Sequence, residues 1–266
     1  MHRFVTTLPK LTEVVMKIQL TVILALVSVF ATAGENKIYN VNGNDYEGYW
    51  AKVSDDAPLV LLVHDWDGLT DYEMKRAKML NDLGYNVFAA DLFGKGVRPT
   101  EVKDKKQHTG ELYKDRDKLR ALMQGSLDYA ATLGGNANNT VVMGYCFGGA
   151  AVLESARAGM NAKGFVTFHG GLKTPQGQSY QEATAPILVL HGTADSAIPM
   201  EQFAALASEL EAQNVAHEMI TYSGAPHAFT VFGSERYRKE ADEKSWQRFT
   251  DCLLYTSDAA DDSLGV

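Results

Sequence analysis

The sequence predicts an α/β fold in which a mainly parallel, doubly wound sheet carries helices on both faces. Continuous apolar runs of strand length recur along the chain, as strands buried on both faces require. Amphipathic, helix-length segments alternate with them, and that alternation builds parallel crossovers. A third observation locates the chemistry. The apolar run Thr140-Val141-Val142-Met143 leads into Gly144-Tyr145-Cys146-Phe147-Gly148-Gly149 and then into a helical segment over 150–157. A strand, a glycine-flanked cysteine and a helix make the cysteine version of a nucleophile elbow.

The elements follow in order. Segments 37–41 and 46–51 flank an Asn-Gly-Asn turn and read as an entry hairpin. A buried strand at 59–64 precedes a helix capped by Asp71 and running to about Leu83, with Ala77, Leu80 and Leu83 on one face. A strand at 86–90 opens into a loop through Gly94, Gly96 and Pro99. One long charged helical stretch, 105–133, leads to the elbow strand. Strands at 164–168 and 186–190, a helix at 200–213, a strand at 217–222 and a helix from near Glu235 complete the alternation.

With 266 residues, 45% hydrophobic and 22% charged, the chain has the make-up of one soluble domain. A net charge of −8, without a basic cluster interleaved with aromatics, argues against nucleic acid as a partner. Lys17, the uncharged run 18–34 and the small-x-small signature Ala31-Thr32-Ala33 predict a signal peptide over 1–33, with Met16 as its natural start. Export to the periplasm or beyond follows. The run is shorter than the roughly 20 residues of a spanning helix, so no stable membrane association is expected after cleavage. The mature domain is expected over 34–251. Residues 252–266 change character abruptly and read as a non-native or disordered tail.

Two cysteines build no disulfide framework. A Cys146–Cys252 disulfide is the structural alternative to a reactive Cys146. For a nucleophilic Cys146, the required partners are a base and a group to orient it, appearing in the order nucleophile, acid, histidine. Asp195 and His227 meet that order, each in a small-residue loop after a strand. Taken singly, Asp195 also suits a turn and His227 a surface loop. The backbone N–H groups of Phe147 and Trp66 are the expected oxyanion hole. His64, Asp65 and Asp67 offer an O/N set for a metal, but no second cluster completes a site, so no metal or other cofactor is expected. His191 reads as a packed, hydrogen-bonded residue rather than a ligand.

The motifs around His64-Asp65-Trp66-Asp67-Gly68, Asp91-Leu92-Phe93-Gly94, the elbow, His191–Asp195 and Gly224-Ala225-Pro226-His227-Ala228-Phe229 together resemble the dienelactone hydrolase family of α/β-hydrolases. The resemblance spans about 39–251. It implies the α/β-hydrolase fold and cleavage of a small-molecule ester or lactone through Cys146, Asp195 and His227. It also implies an acid that pairs with the resting thiol. Family members carry a glutamate there, and this chain has Asp65, one methylene shorter. The family arginines that hold a substrate carboxylate fall at Val231 and in the stretch holding Lys105, Lys106 and His108, where no arginine stands. A carboxylated dienelactone is therefore not the expected substrate. Tyr72, Tyr145 and Phe229 are expected instead to line an apolar acyl pocket. A thioesterase or acyltransferase would use the same triad, and a binding protein could keep the fold without catalysis. A monomer or small homo-oligomer is expected.

Overall fold

Asn42 and Gly43, with φ of 52° and 83°, turn the chain between strand β1 (Glu35–Val41) and strand β2 (Asn44–Ala51). Positive φ at both central positions gives a hairpin turn whose twist matches that of paired strands. The structure is a computed structural model describing residues 34–261, with side chains through 253. The leader expected over 1–33 lies outside the described residues.

Strands β3 (Pro58–Val63), β4 (Asn86–Ala90), β5 (Asn136–Tyr145), β6 (Gly164–Phe168), β7 (Ile187–Gly192) and β8 (His217–Tyr222) extend the hairpin into one sheet. Its order is β1-β2-β4-β3-β5-β6-β7-β8. β2 meets β4 antiparallel, and every neighbouring pair from β4 to β8 is parallel. Helices α1 (Asp71–Asp82) and α6 (Lys239–Asp261) share one core, and α2 (Val102–Lys114), α3 (Arg116–Thr132), α4 (Phe147–Arg157) and α5 (Met200–Ala212) the other. Side chains alternate across a strand. Leu59, Leu61 and Val63 of β3 accordingly join the α2–α5 core, while Val60 and Leu62 join that of α1 and α6. This is why the strand runs are apolar throughout. It is the predicted doubly wound α/β architecture.

Three boundaries differ from expectation. Thr70, not Asp71, caps α1: its hydroxyl accepts from Tyr72 N–H at 3.3 Å, and Glu73 reaches back to Thr70 N–H at 2.9 Å. That reciprocal box satisfies two orphan donors, which Asp71 could not do from inside the helix. The charged stretch 105–133 breaks at Asp115, whose carboxylate accepts from Lys118 N–H at 2.9 Å and starts α3. The last helix starts at Lys239 rather than Glu235 and runs past 251 to Asp261. Phe249 and Leu253, four residues apart, fall on one helical face and are buried in the sheet-side core, so the helix has reason to continue. Cys146 and Cys252 are both free thiols, which removes the disulfide alternative.

Two buried charge groups tie the helices together. Arg76 of α1 pairs with Asp242 of α6, and also donates to Thr230 O at 2.8 Å. Glu154 of α4 receives Arg116 and Arg120 of α3 and Arg157 of its own helix. Removing one partner of a buried pair leaves an uncompensated charge and costs about 3–5 kcal/mol. Urea unfolding of Arg76→Leu should show a loss of that order, with part of it recovered when Asp242→Leu is added. Unchanged stability of the single variant would count against this role for the pair.

Candidate active site

The site is assembled from four strand ends. β5 delivers Cys146, which takes φ 52° and ψ −112°, a conformation that L residues rarely adopt. Two hydrogen bonds hold it: Cys146 N–H donates to Phe168 O at 3.0 Å, and Ala150 N–H donates to Cys146 O at 3.2 Å. The flanking glycines are required by space. A Cβ on Gly148 would strike the carbonyls of Val63 and His64, and one on Gly144 would strike the Gly148 backbone. Phe147 opens α4, so its N–H has no intrahelical acceptor and is free for a ligand oxygen.

β7 ends in the turn that holds Asp195, and β8 leads to the loop that holds His227. Asp195 Oδ1 accepts from the N–H groups of Ala197 and Ile198, each at 2.9 Å. Its Oδ2 faces His227 Nδ1 at 2.7 Å, and His227 Nε2 lies 3.1 Å from Cys146 Sγ. Ala194 N–H donates to Ala225 O at 3.0 Å and joins the two loops. Burial alone would raise the Asp195 carboxyl, but the hydrogen bond and charge of His227 and the two amides bring it below its ordinary value. Burial would lower His227, yet its hydrogen bonds to Asp195 and Cys146 outweigh it and push the imidazole up to about 10. An imidazolium is thereby held beside the sulfur at neutral pH.

Cys146, Phe147, Trp66, Asp65 and His227 line one cavity of about 380 Å³. The Asp65 carboxylate is not paired with the thiol. It accepts instead from Asp67 N–H at 2.7 Å, and burial raises its pKa to about 6. Burial also lifts Glu73 to about 8, with Asp65 adding to the effect, while a Glu73 oxygen accepts from Asp65 N–H at 3.3 Å. Both nitrogens of buried His64 are engaged: Nδ1 lies 2.6 Å from Asp65 O, and Nε2 accepts from Leu92 N–H at 3.0 Å. Burial lowers His64 to about 4, so it is a neutral strut under the Trp66 loop with no lone pair to spare. His191 is buried and stacks on Phe203. Among the described residues no group of three or more His, Cys, Asp or Glu could hold a metal ion.

Tyr72, Tyr145 and Phe229 do not line this cavity. Tyr145 and Phe229 are fully buried in the α1/α6 core, and the Tyr72 hydroxyl is bonded to Thr230 Oγ1 at 2.7 Å. Tyr145 neighbours Cys146 in sequence, but strand alternation turns it to the opposite face. The walls come instead from residues the sequence reading passed over: Thr109 and Tyr113 of α2, Ile198 and Arg236. Thr109 and Tyr113 stand at i and i+4, the spacing of one helical face, which was the available signal. His169 was also missed. It has φ 41°, is buried behind His227 with ring centroids 5.3 Å apart, and meets Thr230 Oγ1 through Nε2 at 2.8 Å. Of the sites where family arginines would stand, Val231 is aliphatic and Lys105 is spent on Asp67 at 2.6 Å.

The profile of the dienelactone hydrolase family matches residues 46–256. The chain belongs to the dienelactone hydrolase family. A Salmonella typhimurium protein named "Putative carboxymethylenebutenolidase" is 27% identical over 219 residues, covering 77% of this chain and 81% of the relative. An Escherichia coli protein of the same name is 28% identical over 202 residues, covering 72% and 74%. Among solved structures, a dienelactone hydrolase-like promiscuous phosphotriesterase from metagenomic libraries superposes with a TM-score of 0.77 at 27% identity, covering 85% of this chain and 98% of that one. This dienelactone hydrolase family member is thus a hydrolase with the α/β-hydrolase fold.

The raised His227 pKa has a testable sign. Its contribution to stability is complete below about 6.5 and is lost as pH rises through about 10. In Asp195→Ala the largest raising cause, the hydrogen bond to the Asp195 carboxylate, is gone. The ring-nitrogen NMR signals of His227 should then titrate well below about 10, while in the parent they should still report imidazolium at pH 8. Identical titrations in the two proteins would sink this account.

Proposed function

We propose that this protein hydrolyses a carboxylic ester or lactone through an acyl-thioenzyme, with Cys146 as nucleophile, His227 as proton carrier and Asp195 as its orienting acid. The observation that carries this reading is the unbroken chain from Asp195 Oδ2 through His227 to Cys146 Sγ, at 2.7 and 3.1 Å. The sulfur, as thiolate, attacks the acyl carbon, and the carbonyl electrons move to oxygen. Phe147 N–H and Trp66 N–H are the groups we assign to that oxyanion. Collapse expels the alkoxide, which takes the His227 proton. His227, now neutral, removes a proton from water as the water oxygen attacks the thioester. The carboxylic acid leaves and the thiolate–imidazolium pair is restored. No cofactor takes part in any step.

The substrate is a small molecule, since the cavity of about 380 Å³ is of ligand size. We further propose export, with cleavage after Ala33. No helix among the described residues is long and apolar enough to cross a membrane.

Cys146→Ala and His227→Ala should each lose at least about 10³-fold in kcat on an aryl ester, and intact mass should show one acyl group on the parent and none on Cys146→Ala. An unchanged rate in Cys146→Ala would end the cysteine mechanism. Mass measurement of protein recovered from the periplasm or medium should give Gly34 as first residue; retention of residues 1–33 in the cytoplasm would refute export.

A further inference from the structure

The catalytic cavity continues beyond its own wall. A second cavity of about 320 Å³ meets it along Tyr113, Gly171 and Ile198, which line both. Gly171 keeps the passage clear. A Cβ there would already lie 3.4 Å from Ala150 Cβ and 3.9 Å from the Tyr113 hydroxyl, so a larger side chain would project into it.

This second cavity is cationic. Arg116, Arg157 and Lys173 line it, and no Asp or Glu does. Behind it the buried carboxylate of Glu154 is shared by three guanidinium groups: Arg157 at 2.8 Å, Arg120 at 2.7 Å and Arg116 at 3.4 Å. One negative charge cannot neutralise three positive ones. Arg157 is buried, and Tyr180 and Gln178 accept from its remaining nitrogens at 2.6 Å each, so its charge is fixed in place. Arg116 lies over the Tyr113 ring, 4.9 Å from its centroid, and the long contact to Glu154 leaves most of its fork open. Lys173 forms no hydrogen bond or ion pair among the described residues. A fixed positive field, an open guanidinium fork and a free ammonium form a receptor for oxyanions.

We infer that this cavity is a subsite for an anionic oxyacid group, carboxylate or phosphate, carried by the substrate away from the scissile bond. Arg116 and Lys173 bind the group and Arg157 supplies the field behind them. The inference rests on the ester-hydrolase reading. It also restores a charged substrate that the residues at Val231 and 105–108 argue against, through cations on α3, on α4 and in the β6–β7 segment. Arg236 is the rival anchor, since it lines the catalytic cavity itself.

Two measurements test it. The first compares kcat/KM for 4-nitrophenyl esters of ω-carboxy and ω-phosphoalkanoic acids of graded length with their neutral methyl-capped counterparts. A parallel series of acetate esters places the anion on the alcohol side. In one series the anionic ester should lead by roughly tenfold or more, through KM, and lose that lead at high salt. The ratio should fall to near one in the Arg116→Gln/Lys173→Ala double variant and survive in Arg236→Ala. The second measurement needs no turnover: adipate and hexyl phosphate, but not 1,6-hexanediol, should raise the Tm of the parent and not of the double variant. Whichever anion gives the larger lead and Tm rise identifies the group. Hydrolysis of neutral esters with neither signal, or a preference lost only in Arg236→Ala, overturns the subsite and spares the hydrolase reading. A Tm rise lost in the double variant, in a protein that hydrolyses no ester, does the reverse.

Discussion

The first turn of α4 meets the sheet through Gly148 and Gly149, which present no side chain. A Cβ on Gly149 would lie 2.3 Å from Thr167 Oγ1 of β6 and 2.9 Å from Gly170 Cα, and one on Gly148 would collide with carbonyls at the end of β3. Only a chain without side chains at these positions lets the helix come so close. Close approach then forces Cys146 into its left-handed conformation, because β5 has to turn into α4 within one residue. Such strain persists where the surroundings over-determine it. Here β6 supplies the anchor, through the bond from Cys146 N–H to Phe168 O. The sulfur therefore stands clear of the sheet, with the positive end of a helix beneath it.

Electrostatics at the site follow from who is left unpaired. Asp195 is saturated by two amides and one imidazole, so it stays ionised and can hold a charged His227. Behind that imidazolium, His169 is kept neutral by burial, with the His227 charge adding to the effect. Two charged rings back to back would oppose each other; one charged and one neutral ring do not. On the other side of the thiol, Asp65 and Glu73 crowd two buried carboxyls together and both are raised. Asp65 meets the amide of its own loop, accepting from Asp67 N–H, rather than the thiol.

The strands and the order of the motifs were legible because their signals are local. An apolar hexad such as Leu59–His64 has few other structures to adopt, and a Gly-x-Cys-x-Gly-Gly turn has a steric reason that is visible in the letters. Asp195 and His227 stand out in the same local way, and the fold brings both within hydrogen-bonding reach of one another. The cavity walls were not legible. The i, i+4 spacing of Thr109 and Tyr113 marks a helical face without saying what it faces, and Arg236 reaches the cavity by tertiary packing that no local period reports, whereas Tyr145 and Phe229 lie near a motif in sequence and away from the cavity in space. Helix ends failed for a related reason. Thr70 and Asp71 are both good caps in isolation, and the reach of Glu73 decided between them. After 251 the composition changes, but Leu253 still packs into the core.

The irregular segment between β6 and β7 has a different standing from the rest of the chain. Its first residues, His169 and Gly170, back His227 and Gly149, but beyond them it carries Gly171 and Lys173, which line the cavities, and takes no part in the hydrogen bonds joining Asp195, His227 and Cys146. Their spacing is set by parallel strands and by the Ala194–Ala225 bond. Changes to the segment at Gly171 and Lys173 would remodel what fits while leaving the Asp195–His227–Cys146 spacing untouched. Within this scaffold it is the natural ground for diversification, where a lineage or a library could trade one substrate for another at little risk to the chemistry.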